Sequence, residues 1–199
     1  MVIMEKIDSL KLSALDNNIP IMQDEGIEFL LNFIKENKIK SILEIGTAVG
    51  YSAIKMASLD KDITIISIER DENRYKEAVK NIKEFNLNNR ITLIYDDAFN
   101  VQLDDKFDLI FIDAAKGKNI EFFEKFKNNL YNNGYIITDN LKFHGYVDME
   151  LSKIKSRNIR GLVRKIRKYL DFLKTNDEFE TNFFDLGDGI SVSRKINNI

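Results

Sequence analysis

Three observations in the sequence predict a doubly wound α/β domain built on a mostly parallel, seven-stranded sheet. Short runs rich in Ile and Leu recur along the chain, amphipathic helical patterns fill the gaps between them, and Asn-rich turn signals stand just before strands at 88–90 and 132–134. Strand, helix, strand, repeated, builds a parallel sheet with right-handed crossovers. At 199 residues the chain is long enough for one sizeable core, so a single domain over 1–199 is expected.

The elements follow in order. The N-terminal stretch 1–37 contains two amphipathic helices, over 3–37, interrupted near Pro20; Ile27, Leu30, Leu31 and Ile34 mark the second apolar stripe. Strands are expected at Ser41–Ile45, Ile63–Glu69, Ile91–Tyr95, Phe107–Asp113 and Tyr135–Thr138. Unbroken apolar character at Leu109–Ile112 suits a strand buried on both faces. Ala78, Val79, Ile82 and Phe85 form one helical stripe, and Phe122, Phe123, Phe126 and Leu130 another. Residues 150–174 read as a basic helical insertion, one long helix or a helix pair, with Gly161 as a weak point. Phe179–Phe184 and Ile190–Lys195, around Gly187-Asp188-Gly189, read as an antiparallel hairpin added to the sheet.

Bulk properties exclude several classes. The 44% hydrophobic and 31% charged content is that of a soluble globular protein. No apolar run approaches membrane-spanning length, and Met1–Glu5 lacks the basic start of a signal peptide, so a cytoplasmic protein with no membrane partner is expected. There is no Cys, which removes disulfides, thiol nucleophiles and thiolate metal sites. Net charge is −2, yet Lys153–Lys174 holds nine basic residues against one acid, Asp171, a local +8 that leaves −10 on the rest. The local charge argues for a nucleic-acid partner where the global charge does not.

The most informative motif is Glu44–Ser52, Glu-Ile-Gly-Thr-Ala-Val-Gly-Tyr-Ser, between a strand and a helix. Its glycines let backbone amides approach a ligand at a helix N-terminus. In a dinucleotide loop the first position is glycine; here Glu44 would face a diphosphate with negative charge, which counts against an NAD-dependent oxidoreductase. A cationic ligand without phosphates fits better, and S-adenosylmethionine (AdoMet) meets that description. An ordinary strand–helix turn is the plain alternative.

Ligands in such sheets sit beyond the carboxyl ends of the strands. Acids stand there repeatedly: Glu44, Glu69, Asp96, Asp97, Asp113 and Asp139. Glu69 can accept the hydroxyls of a ribose, and Asp97 with Ala98 would flank an adenine; helix capping is the competing use of each acid. Asp113, Asp139 and Asn140, on neighbouring strands, make a partial shell of hard oxygen donors suited to Mg²⁺ or another divalent cation. A hydrogen-bonded polar cluster is the alternative.

At these residues the chain resembles the cation-dependent class I O-methyltransferases, the group of catechol and caffeoyl-CoA methyltransferases. The matching stretches are Pro20–Met22, Glu44–Ser52, Ile68-Glu69, Asp97-Ala98, Phe111–Lys116, Thr138–Asn140 and Gly187–Gly189, spread over nearly the whole chain. Asp96 stands where that group usually has glycine, and Asn119 where an aromatic often follows the lysine. The resemblance implies a Rossmann-like methyltransferase fold and a homodimer. It implies that Met22, Glu44, Gly46, Ser52, Glu69, Ala98 and Asp113 surround AdoMet, that Asp113, Asp139 and Asn140 bind the metal, and that Lys116 is the base or substrate-orienting group. Within the group, Phe111–Gly117, Ile137–Asn140 and Arg160–Ile166 resemble the bacterial tRNA 5-hydroxyuridine methyltransferases, which make 5-methoxyuridine at the wobble position.

The basic segment carries an apolar stripe, Ile159, Leu162, Val163, Ile166, Leu170 and Leu173, and lines up Arg157, Arg160, Arg164, Arg167 and Lys168 at spacings of three and four. The excess of one sign favours a phosphate-binding stripe over a merely solvated face. His144 is read as a surface loop residue, with substrate orientation as the alternative. The expected function is therefore AdoMet- and metal-dependent O-methylation in the tRNA anticodon region. A catechol-type enzyme and a silent AdoMet- or RNA-binding module are the rival readings.

Overall fold

Helix α1 (Val2–Asp16) stops before Pro20 and helix α2 (Asp24–Glu36) starts after it, as the missing amide hydrogen and fixed φ of proline require. The structure, a computed structural model, describes residues 2–196; Met1 and residues 197–199, part of the expected domain, lie outside the described residues. The chain divides into two units, Met1–Leu103 and Asp104–Ile199.

In the first unit the helices are followed by β1 (Ser41–Ile45), α3 (Tyr51–Ala57), β2 (Thr64–Glu69), α4 (Glu72–Glu84) and β3 (Ile91–Tyr95). The strands are parallel, ordered β3-β2-β1, with Leu43 opposite Ile66 and Ser67 opposite Leu93. Their carboxyl ends therefore share one edge. α2 buries Ile27, Leu30 and Ile34, while Leu31 is half-buried. The stripe expected on α4 is corrected at one position: Val79 is 43% exposed and Asn81 is buried in its place. Asn81 lies three residues past Ala78, on the inward face, and its amide donates to the Val49 carbonyl at 2.9 Å. A pattern search for apolar residues misses a buried amide that satisfies a loop carbonyl.

The second unit holds β4 (Phe107–Ile112), α5 (Asn119–Phe126), β5 (Leu130–Thr138), α6 (Arg157–Thr175), β6 (Phe179–Phe184) and β7 (Ile190–Lys195). β4 and β5 are parallel; β7 runs antiparallel to β5 and β6 antiparallel to β7, the expected hairpin. Several boundaries differ from expectation: β4 ends at Ile112, one residue short of Asp113, and the helix expected from residue 150 begins only at Arg157. Leu130 begins β5 instead of closing α5, and the turn signal at 132–134 is a bulge inside the strand, where pairing passes from Phe107–Leu130 to Leu109–Tyr135. Gly134 is needed there: a Cβ would lie 3.0 Å from the Tyr131 carbonyl oxygen and 3.1 Å from that of Asp108. α6 starts at Arg157, capped by Ser156, after a 3₁₀ turn at Leu151–Lys153, and it runs through Gly161 unbroken.

α6 packs by Val163, Ile166, Tyr169 and Leu173. Phe123 of α5 meets Phe179, Phe172 and Tyr169 edge-on, at ring separations of 4.8, 5.3 and 6.4 Å. The buried Tyr169 hydroxyl pairs with Thr138 at 2.8 Å, and burial pushes its pKa up. Among the described residues no helix is long and apolar enough to cross a membrane.

Candidate active site

In the first unit the loop between β1 and α3 turns on left-handed residues: Gly46 (φ 102°), Ala48 (φ 47°) and Gly50 (φ 85°). Only glycine adopts the first and last of these without steric cost. The amides of Gly46 and Thr47 both donate to the Ile68 carbonyl, at 3.0 and 3.3 Å, which pins the loop to the end of β2.

Glu44, on β1, is fully buried. Ser52, in the first turn of α3, donates to one of its oxygens at 2.5 Å, and Ser67 of β2 donates to the other. With its hydrogen on Glu44, the Ser67 hydroxyl accepts from Thr47 at 2.5 Å. So two predicted cofactor residues, Glu44 and Ser52, are joined, by a network that also recruits Ser67 and Thr47. Sequence reading passed over both of these, since a small hydroxyl in an apolar strand carries no pattern. Glu69 accepts from the Ala48 amide and from the Asp71 amide, each at 2.8 Å. It therefore clamps the glycine loop while each oxygen keeps a second lone pair.

Asp97 and Ala98 follow β3. Asp97 accepts from the Phe99 amide at 3.0 Å and faces Arg70 at 3.4 Å; Asp96 holds the Asp97 amide and the Asn100 side chain at 2.7 and 2.8 Å. These acids shape a turn, and Ala98 is buried. Met22 is buried just before α2. A cavity of about 400 Å³ opens in this unit, lined by Ser13, Val49, Asp71, Arg74 and Asn81 among others.

The second unit brings together the predicted metal and catalytic residues. Asp113 directly follows β4, and Asp139 and Asn140 directly follow β5, so parallel pairing of Ile112 with Thr138 sets them side by side. The Asn140 amide nitrogen donates to Asp113 at 2.8 Å and to Asp139 at 3.1 Å. Asn140 holds a left-handed conformation (φ 66°), which asparagine tolerates better than most residues.

Electrostatics make this cluster unlike the first. Burial raises the Asp113 carboxyl above the usual range, against the pull of Lys116 and Asn140. Burial, reinforced by the Asp113 charge, pushes Asp139 up to about 7. Burial pushes the Lys116 ammonium down, while Asp113, Asp139 and Asp188 hold it up. Two acids that resist ionisation, Asp139 buried and Asp113 half-buried, share one amide NH₂ and form a site that favours a cation. The NH₂ of Asn140 faces the two acids here; with the amide turned over, its oxygen would complete three hard-oxygen donors to such a cation. Among the described residues no three acid, imidazole or thiolate side chains are grouped to hold a metal, so water and acceptor would fill the remaining positions.

In the sequence Asp188 stands at the centre of a hairpin turn, in a stretch that matches the family and with no role assigned to it, yet it is 5% exposed. One oxygen accepts from the His144 amide at 2.5 Å, and the other lies 3.9 Å from the His144 ring nitrogen. His144 itself is exposed, as expected of a loop residue. It sits in a left-handed run, Phe143, His144 and Gly145 (φ 48°, 54° and 79°), which Asp188 secures.

The basic residues of α6 do not form one stripe. Arg160 donates to the carbonyls of Ile154 and Lys155, at 2.6 and 3.1 Å. Arg167 donates to those of Val147 and Met149, at 2.7 and 2.5 Å. Among the described residues the irregular segment before α6 gives these carbonyls no amide partner, and a guanidinium fork supplies the donors. Arg157, Arg164 and Lys168 are exposed.

Comparison with known proteins shows the family and the fold. The profile of the O-methyltransferase family matches residues 2–196. A Staphylococcus aureus structure, provisionally described as a caffeoyl-CoA O-methyltransferase, is 36% identical, with a TM-score of 0.90 over 96% of this chain and 92% of that one. Flavonoid 3',5'-methyltransferase of Vitis vinifera is 27% identical over 90% of this chain and 79% of its own length. An O-methyltransferase from Bacillus cereus, in complex with SAH, shares the fold at 24% identity and a TM-score of 0.81, over 96% of this chain and 91% of that one.

Proposed function

Because this chain belongs to the O-methyltransferase family, we propose that it transfers the methyl group of AdoMet to the 5-hydroxyl of uridine at the tRNA wobble position. The product is 5-methoxyuridine, and Mg²⁺ or another divalent cation assists. The observation that carries the acceptor is α6, whose surface is strongly basic and whose only acid is Asp171. A small diol needs no such surface; a polyanion does. AdoMet is supported by the glycine loop clamped to Glu69 and by the SAH complex of the Bacillus cereus relative. Exposed Leu12 and Leu15 on α1 support the N-terminal helices as a dimer face.

Each group has a chemical task. Glu69 keeps lone pairs for the ribose hydroxyls. The Glu44–Ser52–Ser67 network holds β1, β2 and α3 in register, which fixes the glycine loop at the end of β1. A divalent cation held by Asp113, Asp139 and Asn140 would lower the pKa of the acceptor hydroxyl. Lys116, its pKa depressed by burial, is neutral more often at ordinary pH than an exposed lysine, and its Nζ accepts the hydroxyl proton. Asp113 orients Asn140 and lies within the field of Lys116, which couples proton removal to acceptor placement.

A catechol-type or caffeoyl-CoA-type small molecule is the second reading, favoured by the plant relatives. Parallel assays on unfractionated tRNA and on a catechol separate the two. Nucleoside mass spectrometry of tRNA from cells with and without this protein tests the first directly. Loss of 5-methoxyuridine with accumulation of 5-hydroxyuridine is expected, and an unchanged nucleoside profile overturns the reading.

A further inference from the structure

We infer that a phosphodiester chain lies along one face of α6, across Gly161, held by Arg157, Arg164 and Lys168 and led toward Lys116 by Lys165; this rests on the tRNA reading above. At 3.6 residues per turn, positions 157, 161, 164 and 168 fall within a sector of about 60°. Among the described residues, the side chains of Arg157, Arg164 and Lys168 make no hydrogen bond or ion pair. Arg160 and Arg167 take another direction and staple the 147–155 segment through its carbonyls. The helix thus carries two kinds of cation, one set consumed by the fold and one left to solvent.

Gly161 supplies an independent observation. Glycine weakens a helix interior, and here it has no packing reason, since a Cβ at this position would meet nothing within 4 Å. A bare stretch of helix backbone flanked by three cations lets a phosphate approach closely without displacing a side chain. A second glycine links this face to the proposed chemistry. At Gly117 a Cβ would lie 3.1 Å from Lys165 Cδ and 3.5 Å from its Nζ. The Lys165 stem therefore crosses the Lys116–Lys118 turn, and its ammonium sits beside that turn. A chain bound along α6 meets Lys165 as it reaches Lys116.

Equilibrium binding of unfractionated tRNA, measured across a salt series, tests this with three variants. The triple change Arg157→Glu, Arg164→Glu, Lys168→Glu is expected to weaken binding at least a hundredfold at low salt and to flatten the log–log salt slope by about two units, at roughly 0.7 per contact. Arg160→Gln with Arg167→Gln is expected to lower Tm and leave the slope unchanged. Gly161→Leu is expected to hold or raise Tm while weakening binding about tenfold. Wild-type affinity in the triple variant, or in Gly161→Leu, overturns the inference and leaves the tRNA reading standing. A slope change confined to the Arg160/Arg167 variant also overturns it. Absence of salt-dependent tRNA binding by the wild-type protein overturns both.

Discussion

The two acid-lined regions of this molecule are built on opposite electrostatic plans. Around the glycine loop of the first unit, every carboxylate oxygen described has a donor: Ser52 and Ser67 serve Glu44, and the Ala48 and Asp71 amides serve Glu69. In the second unit, Asp113 and Asp139 share the NH₂ of Asn140, and their proton affinities rise. One Asp188 oxygen is buried with no hydrogen bond. The first region is satisfied before any ligand arrives and works as a rigid frame. The second is short of positive charge, which is the condition of a site that completes itself by binding a cation.

The largest effect that can break this contrast is on turnover. Asp139→Ala is expected to abolish methyl transfer and leave AdoMet affinity largely intact, because its partners are all in the acid cluster. Turnover assays alongside calorimetric titration of AdoMet check this, and full activity in EDTA excludes the cation role altogether. Lys116→Ala comes next, with kcat reduced by roughly 10²–10⁴, the range for losing general acid–base catalysis. Raising the pH is expected to restore part of that rate. A normal kcat with a raised KM would instead make Lys116 a binding residue.

On the other side of the contrast, Glu44→Ala is expected to act on stability first. It leaves the hydroxyls of Ser52 and Ser67 without their acceptor, at roughly 1–3 kcal/mol for each buried group. Urea unfolding measures this loss. An equal loss from Asp139→Ala would erase the distinction, since removing an acid from a cation-starved cluster relieves repulsion.

The smallest expected effect is the pH dependence of metal-free stability. Asp139 has a folded pKa of about 7, above its ordinary 3.8. A raised value stabilises the fold fully below the unfolded pKa, and that contribution is lost as pH rises through the folded one. Tm of the metal-free protein is therefore expected to fall between about pH 4 and pH 7, with Asp113 acting in the same sense. Lys116, depressed instead, acts oppositely, its contribution being lost as pH falls through its folded value. Asp139→Asn is expected to flatten the acid-side slope, and Mg²⁺ to raise Tm at pH 8 but not at pH 5. A pH-independent Tm in the wild type would refute the cation-starved description of this cluster.

Much of the architecture and of the site was legible in local sequence. Alternating strands and helices, the break at Pro20, the hairpin around Gly187–Gly189 and the acids at strand ends all follow from periodicity and turn chemistry that act within a few residues. Parallel pairing then carries Asp113 next to Asp139 and Asn140 with no further information, because side chains one step past paired strands are neighbours. What sequence did not determine is which partner each polar group takes. Asn81 displaces Val79 from the α4 face because a loop carbonyl 32 residues away needs a donor. Arg160 and Arg167 leave the basic stripe because carbonyls of the 147–155 segment lie within their reach, while among the described residues the Arg157, Arg164 and Lys168 side chains take no acceptor. Asp188 belongs with Lys116 and His144 only once β7 lies against β5. Helical and strand periods are properties of the backbone and are written locally. Hydrogen-bond satisfaction and burial of charge depend on groups distant in the chain, so only the tertiary structure could decide them.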